Sequence, residues 1–418
     1  MRVDCVSICP YLISTTNPYE KELIHLADYT ILTADTLLAG KDLAETHNSC
    51  IVIENDLIKE ILPTGAAVQK YGETADIHHL GNVTLMPGFI ESHNHLSLDA
   101  RLPGHHQMMN DSTCRLSVLA LNSLHDDLMS GVTFARCMGD RDFIDTTLKE
   151  EIEKNHVFGP DLYTCGIGMR GLHGHGFVGL PHTGPEEFRR TARENMLHGC
   201  DHLKVFITAG APPLKGNAPY FISYDEMKTV VEEGARLGLP VSAHCIGGEG
   251  LKQGIKAGIH AFDHLYCISD DELELLIKND RWAILTAGNF LDPKREAFCP
   301  PSKVANVRRN RERVRERMST ILKSGIKFAL GTDAFHTFLY KEAIYAHECG
   351  ASVRESLKGI TYYGACLCGM EHLIGSLDKG RKASIVALKC NPYQNLETLS
   401  SPVLVMKNGV IYKDCINS

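Results

Sequence analysis

The chain has 418 residues, 44% of them apolar, and a formal net charge of −8, which suits one large domain plus a smaller one with a sizeable core. That balance excludes the electrostatic footprint of a nucleic-acid binder or of a protein held on an anionic membrane surface, so a small-molecule substrate is the expected partner and a homo-oligomer stays open. The 15 cysteines are odd in number, spread out and without a Cys-X-X-Cys pair. With no apolar run near the roughly 20 residues of a membrane span, they read as reduced thiols of a cytoplasmic protein.

The leader MRVDCVSICPYLISTTNPYEKE has one early Arg, an Asp and a short broken apolar stretch, a poor secretory signal. Residues 28–62 then give β-rich pieces, YTILTADTLL and SCIVIENDLIKEIL, expected to form a small antiparallel sheet. From residue 83 short apolar runs alternate with helical stretches, the sign of βα units. The predicted strands are 83–90, 131–136, 161–166, 202–208, 240–245, 259–264, 282–287 and 326–331. Eight such runs predict an α/β fold built on a (β/α)8 TIM barrel.

Residues 307–322, VRRNRERVRERMSTIL, place Val307, Val314, Met318, Ile321 and Leu322 at helical spacing, so the arginines should occupy a solvated face. GGEGLKQG after His244 lacks a phosphate-loop pattern. The end of the chain returns to short strands with a hairpin signal at Lys407-Asn408-Gly409. It should complete the small β domain, a sandwich shared by residues 1–86 and 375–418 around the barrel of 87–374.

Catalytic groups of such a barrel collect at the C-terminal ends of its strands. His93 and His95, in ESHNH, are two apart on a strand and so share a face, as a pair of metal ligands would. Lys204 sits inside the apolar run LKVFI, where an ammonium is costly to bury. His244 and His264 end the fifth and sixth strands, and Asp333 follows the eighth. Each has a bland alternative, a hydrogen-bonded core histidine or a helix cap, but their joint placement at strand ends argues for one site. Arg170 and Arg136 lie near strand ends and would suit a substrate carboxylate, with surface salt bridging equally open.

The ordered set ESHNH, LKVF, SAHC, DHL and GTDA resembles the amidohydrolase superfamily over roughly residues 45–412. The ending GSLDKGRKASIVAL is similar too, with Ser384 where the family usually has Asp. GLHGHGF around His175, the run from residue 232 to DHL, and SLKGITYYGACLCGMEHLIGSL resemble the branch of imidazolonepropionase-related and Xaa-Pro or Xaa-Arg dipeptidase-like enzymes. The resemblance implies two divalent metal ions, zinc foremost, held by His93, His95, His244, His264, Asp333 and a CO2-derived carbamate on Lys204. It implies hydrolysis of a C–N bond by metal-activated hydroxide, with Asp333 as general base and acid and His175 touching the substrate.

Deaminases of the superfamily typically carry Glu three residues after the strand-five histidine, where this chain has Gly247. An amidohydrolase acting on a dipeptide or N-acyl amino acid is therefore expected, with a deaminase or cyclic amide (imidazolone) hydrolase as the alternative. A non-catalytic metal-binding scaffold is the remaining one. His105, His106, His173, His182 and His260 are read as structural or surface histidines, and Cys245 as packing on the face opposite His244.

Overall fold

The computed structural model describes residues 28–213 and 217–416, with the side chain of His106 left out; the leader lies outside the described residues. The predicted run 83–90 divides in two. Thr84–Pro87 joins a six-stranded sheet, while Phe89–Asn94, here β1, opens the parallel array. The switch falls between adjacent amides: Gly88 N–H donates to Ser384 O (2.9 Å) and Phe89 N–H to Gly131 O (2.9 Å). Both pieces are fully buried, so hydropathy does not separate them; the sign of the division is the Pro87-Gly88 pair at the switch.

The other runs become β2 (Val132–Cys137), β3 (Asp161–Tyr163), β4 (Leu203–Phe206), β5 (Val241–Cys245), β6 (Ala261–His264), β7 (Trp282–Leu285) and β8 (Lys327–Leu330). β1, β2 and β3 pair parallel in that order, and β4 to β8 do the same in a second array. Met169–Gly171 and Leu180–His182, which the apolar pattern does not predict, extend the second array beside β4.

Bonds join the two arrays at both edges. Past β3, Thr164 O accepts from Asp201 N–H (2.8 Å) and His202 N–H (3.2 Å), just before β4. Past β8, Asp333 N–H donates to His93 O of β1 (3.0 Å). The buried Glu91 carboxyl accepts from His93 N–H (2.8 Å) and Thr332 N–H (3.0 Å) across the same edge. Helices cover the strands from outside, two of them opened by capping boxes at Ser223/Glu226 and Ser269/Glu272. The arginine-rich segment lies in the helix Pro301–Lys323, which buries Val307, Val314, Met318 and Ile321. Several of its arginines meet carboxylates, Arg308 and Arg311 at Glu296 and Arg317 at Asp270.

The N-terminal strands differ from the expected antiparallel sheet. Tyr29–Thr33 pairs antiparallel with Ser49–Glu54 but parallel with Ala75–His79, and Thr36–Ala39 pairs parallel with Thr84–Pro87. Two mixed sheets result, because the helix Thr64–Tyr71 carries the chain back to the far edge of the first. The six-stranded sheet combines Thr36–Ala39, Ala44–His47 and Thr84–Pro87 with Ile385–Leu388, Leu404–Lys407 and Val410–Asp414 from the C-terminus. One apolar cluster, including Leu32, Ile51, Leu85, Ile385 and Met406, draws on both sheets. The hairpin turns at Asn408 (φ 50°) and Gly409 (φ 78°), the positive values that its Asn-Gly pair favours.

The edge between β8 and β1 leaves no room for a side chain at Gly331. A Cβ there would lie 2.6 Å from His93 N and Cβ and 2.7 Å from Glu91 Oε1. Gly331→Ala should therefore destabilise the protein by about 1–3 kcal/mol, as overpacking does, read as a lowered thermal midpoint in calorimetry. An unchanged midpoint would show that this edge yields.

Candidate active site

His93 lies in β1 and His95 one residue past it, as period-2 alternation expects, and both are buried. Asp333 comes over from β8: its Oδ1 is 3.3 Å from His93 Nε2 and 3.7 Å from His95 Nε2. These three residues offer ligand atoms all within 4.8 Å of one another. The His93 ring centroid is 4.8 Å from that of His264, which is 4.5 Å from that of His244. His175 closes the row, 4.6 Å from His244. The structure thus brings His93, His95, His175, His244, His264 and Asp333 to one cavity.

Second partners orient the imidazoles. His95 Nδ1–H donates to Gly139 O (2.7 Å) and His244 Nε2–H to Ala209 O (3.1 Å), which turns the other nitrogen of each ring into the acceptor. His264 Nδ1 is hydrogen-bonded to Thr286 Oγ1 (2.8 Å). Burial lowers the pKa of His95 and His175 to about 4 and of His264 to about 3, and takes His244 well below its ordinary value. These rings are neutral near pH 7 and keep the lone pair that a metal ion requires. His93 differs: burial pushes its pKa down, but Asp263 outweighs this and the net direction is up. Its Nδ1 and Asp263 Oδ1 lie 3.3 Å apart, yet neither has an aligned hydrogen-bond partner. This set of imidazole nitrogens and carboxylate oxygens fits a divalent cation of the zinc type.

Lys204 is fully buried in β4 and pairs with Asp263, a residue that the sequence reading passed over. Burial lowers the lysine pKa while Asp263 raises it, with a net direction down. Asp333 Oδ2 accepts from Asn289 Nδ2 (2.9 Å), which also donates to Tyr266 OH (2.8 Å). Neither Asn289 nor Tyr266 was singled out by sequence: Asn289 lies in the short helix Gly288–Leu291 and Tyr266 in the turn after β6, and neither belongs to a motif.

Arg136 and Arg170 do not line the cavity. Arg136 is buried among the strands, donating to Ser92 O (3.0 Å) and Ser242 Oγ. Arg170 donates to the carbonyls of Gly171, Leu172, Gly174 and Gly179, tying together the loop that carries His175. Arg295 and Lys303 line the cavity instead. So does His105, which is buried with its Nδ1 hydrogen-bonded to Leu102 O (2.9 Å). Gly247 follows β5 as expected. Glu249 starts the next helix, where it accepts from Gln253 (3.2 Å).

Comparison with known proteins gives a consistent picture. The model of the Amidohydrolase family matches residues 84–412. Ochratoxinase of Aspergillus niger is 26% identical over 433 residues, covering 93% of this chain and 87% of that protein. Imidazolonepropionase of Clostridium tetani is 24% identical over 426 residues, covering 90% and 94%. A solved Xaa-Pro dipeptidase with methionine bound in its active site superposes with a TM-score of 0.78 at 24% identity, covering 92% of this chain and all (100%) of that one.

Behind the site, buried His336 Nδ1 contacts Asp127 Oδ2 (2.9 Å), which also accepts from Asn94 Nδ2 (2.9 Å). Burial would lower the His336 pKa, but Asp127 overrides it and lifts the value to about 9. A raised pKa stabilises the fold in full below the unfolded value of about 6.5, and that stabilisation is lost as pH climbs through about 9. The thermal midpoint of the wild type should exceed that of His336→Gln most near pH 6, with the gap narrowing toward pH 10. A pH-independent gap would assign the stabilisation to packing.

Proposed function

Because this chain belongs to the amidohydrolase family, hydrolases of carbon–nitrogen bonds, we propose that it cleaves the amide bond of a dipeptide or N-acyl amino acid. The observation that carries the reading is the convergence of His93, His95 and Asp333 within 4.8 Å, with His264, His244 and His175 in a row beside them. In this proposal the parallel arrays are one (β/α)8 barrel spanning residues 87–374. The described parts of the segments 1–86 and 375–418, residues 28–86 and 375–416, would form the two mixed sheets as a small sandwich domain. Free thiols at the described cysteines suit a cytoplasmic protein, and no described helix is long and apolar enough to cross a membrane.

His93, His95 and Asp333 would hold one divalent ion, and His244 and His264 a second. Lys204 would supply a further anionic ligand if its neutral amine adds CO2 through a new N–C bond and releases a proton. When bound, such ions supply Lewis acidity that polarises the amide carbonyl and acidifies water.

The chain's own groups do the rest. Asp333 accepts the proton of the attacking water and delivers it to the leaving nitrogen. Asn289 fixes Asp333 Oδ2 so that Oδ1 faces the histidines. His175, neutral and at the cavity wall, donates to the substrate carbonyl. Leu98, Met109, Phe177, Val178 and Phe290 line the cavity and limit the water around the reacting bond.

One observation favours a second reading. The Lys204–Asp263 pair already compensates the buried ammonium. An unmodified lysine would go with a single ion on His93, His95 and Asp333, and with a cyclic amide as substrate. Metal analysis and carbon-13 NMR after exchange with labelled bicarbonate separate the two. About two ions per chain with a carbamate signal support the first reading, whereas about one ion without that signal rejects it. Asp333→Asn should lower kcat by about a hundredfold or more. Screening amides with both amine and ammonia detection tests the reaction itself: stoichiometric ammonia from a heterocycle would overturn amide cleavage.

A further inference from the structure

One phenol hydroxyl stands between two of the side chains that face the cavity from different strand ends. Tyr266 follows β6, where the positive φ of His264 and Leu265 (78° and 54°) turns the chain, and its buried ring packs on Phe290 with centroids 4.7 Å apart. Its OH meets Thr286 Oγ1 (2.6 Å) and accepts from Asn289 Nδ2 (2.8 Å). Thr286, fully buried just after β7, in turn meets His264 Nδ1 (2.8 Å). Asn289 gives its other Nδ2 hydrogen to Asp333 Oδ2 (2.9 Å). Tyr266 thus touches His264 through Thr286 and Asp333 through Asn289.

The hydrogens in this chain can be counted. A carboxylate only accepts, so the Asn289 amide nitrogen faces Asp333 and its second hydrogen is left for Tyr266. A His264 ring that ligates an ion through Nε2 carries its hydrogen on Nδ1 and gives it to Thr286 Oγ1. The Thr286 hydrogen then goes to the Tyr266 oxygen, and the Tyr266 hydrogen to Thr286 O (3.1 Å). Reversing the order makes Thr286 donate to His264 Nδ1, which puts the ring hydrogen on Nε2 and removes the ligating lone pair. Without the phenol oxygen, the spare Asn289 hydrogen falls to Thr286 Oγ1, 3.3 Å away. A Thr286 hydroxyl that accepts there is free to donate to His264 Nδ1, the order that blocks ligation.

We propose that Tyr266 is a positioning residue that ties these two groups together: through Thr286 it keeps His264 in the tautomer that can bind an ion, and through Asn289 it holds the Asp333 carboxylate. This rests on the reading that His264 and Asp333 hold divalent cations, and not on the identity of the substrate.

The test is Zn2+ binding to the metal-free full-length protein, measured by competition with a chromophoric chelator, which needs no substrate. Tyr266→Phe keeps the ring and removes one oxygen; it should weaken Zn2+ binding by about tenfold or more, as should Asn289→Ala, with unchanged circular dichroism. Because the loss in Tyr266→Phe runs through the Asn289 amide, adding it to Asn289→Ala should cost less than about threefold further. Thr286→Ser, which keeps the hydroxyl, should bind Zn2+ within about threefold of the wild type, whereas Thr286→Val should lose about tenfold or more. Wild-type affinity in Tyr266→Phe, or losses that multiply in the double variant, overturns the proposal. Should Tyr266→Phe not fold, the Thr286 variants decide, and equal affinity in Thr286→Val and Thr286→Ser overturns it. A wild type that binds no Zn2+ rejects the metal reading and this coupling with it, while a wild type that binds Zn2+ beside an indistinguishable Tyr266→Phe sinks the coupling alone.

Discussion

The centre of the parallel strands depends on Asp263. Its carboxylate meets the Lys204 ammonium, lies 3.3 Å from His93 Nδ1 and 4.0 Å from Arg136, and is fully buried. A lone charge there would cost several kcal/mol in desolvation, so none of these groups is tolerable without the others. Lys204 and Arg136 hold Asp263 well below the ordinary carboxylate range despite its burial. The pairing sets His93, which shares Asp263 on one side and faces Asp333 on the other. A structural carboxylate and a chemical one thus act on the same imidazole from its two nitrogens.

Backbone geometry makes this crowding possible. Along β5 and β6 the register pairs His244 with Asp263 and Cys245 with His264. Strict alternation would send His264 outward with Cys245. Instead His264 and Leu265 take positive φ, 78° and 54°, and the imidazole returns to the cavity beside His244. The same device recurs after β8, where Asp333 (φ 57°) and Ala334 (φ 64°) turn the carboxylate across to β1. Non-glycine residues in this region cost of order 1–3 kcal/mol each and persist where the surroundings fix them. Here the fixing bonds are His264 to Thr286, Asn289 to Asp333 and Asp333 N–H to His93 O.

Residues whose placement follows from alternation were legible in the sequence. His93 and His95 sit two apart on one strand, and the parallel runs from 131 to 331 were marked by apolar composition. Asp263 was not legible, because its neighbour His264 claimed the inward face under the same rule, and only the positive φ lets both face the centre. Arg136 and Arg170 were misleading for a different reason. Position along a strand gives the face but not the depth, and Arg136 belongs to a layer that contacts Ser92 and Ser242 within the strands. Arg295 and Lys303 reach the cavity from a turn and a helix beyond β7, where no periodic pattern ties them to the strand ends.

The chain's overall charge of −8 predicts little about the field inside this cavity. The histidines with strongly lowered pKa values contribute no charge near neutral pH, so among the described lining residues the local balance rests on Asp333, Arg295, Lys303 and His93, whose pKa moves up. Bound divalent cations would add positive charge, shifting that balance further toward anions. Surface acidity, spread over the solvated faces of helices, is screened within about 10 Å, whereas charges in a desolvated cavity act on one another at low dielectric. A chain that is acidic overall can therefore carry cationic side chains on the wall of this cavity. The origins of the lining groups are divided accordingly: strand ends carry the histidines His93, His95, His244 and His264 with Asp333, and the segments after β7 carry Arg295 and Lys303.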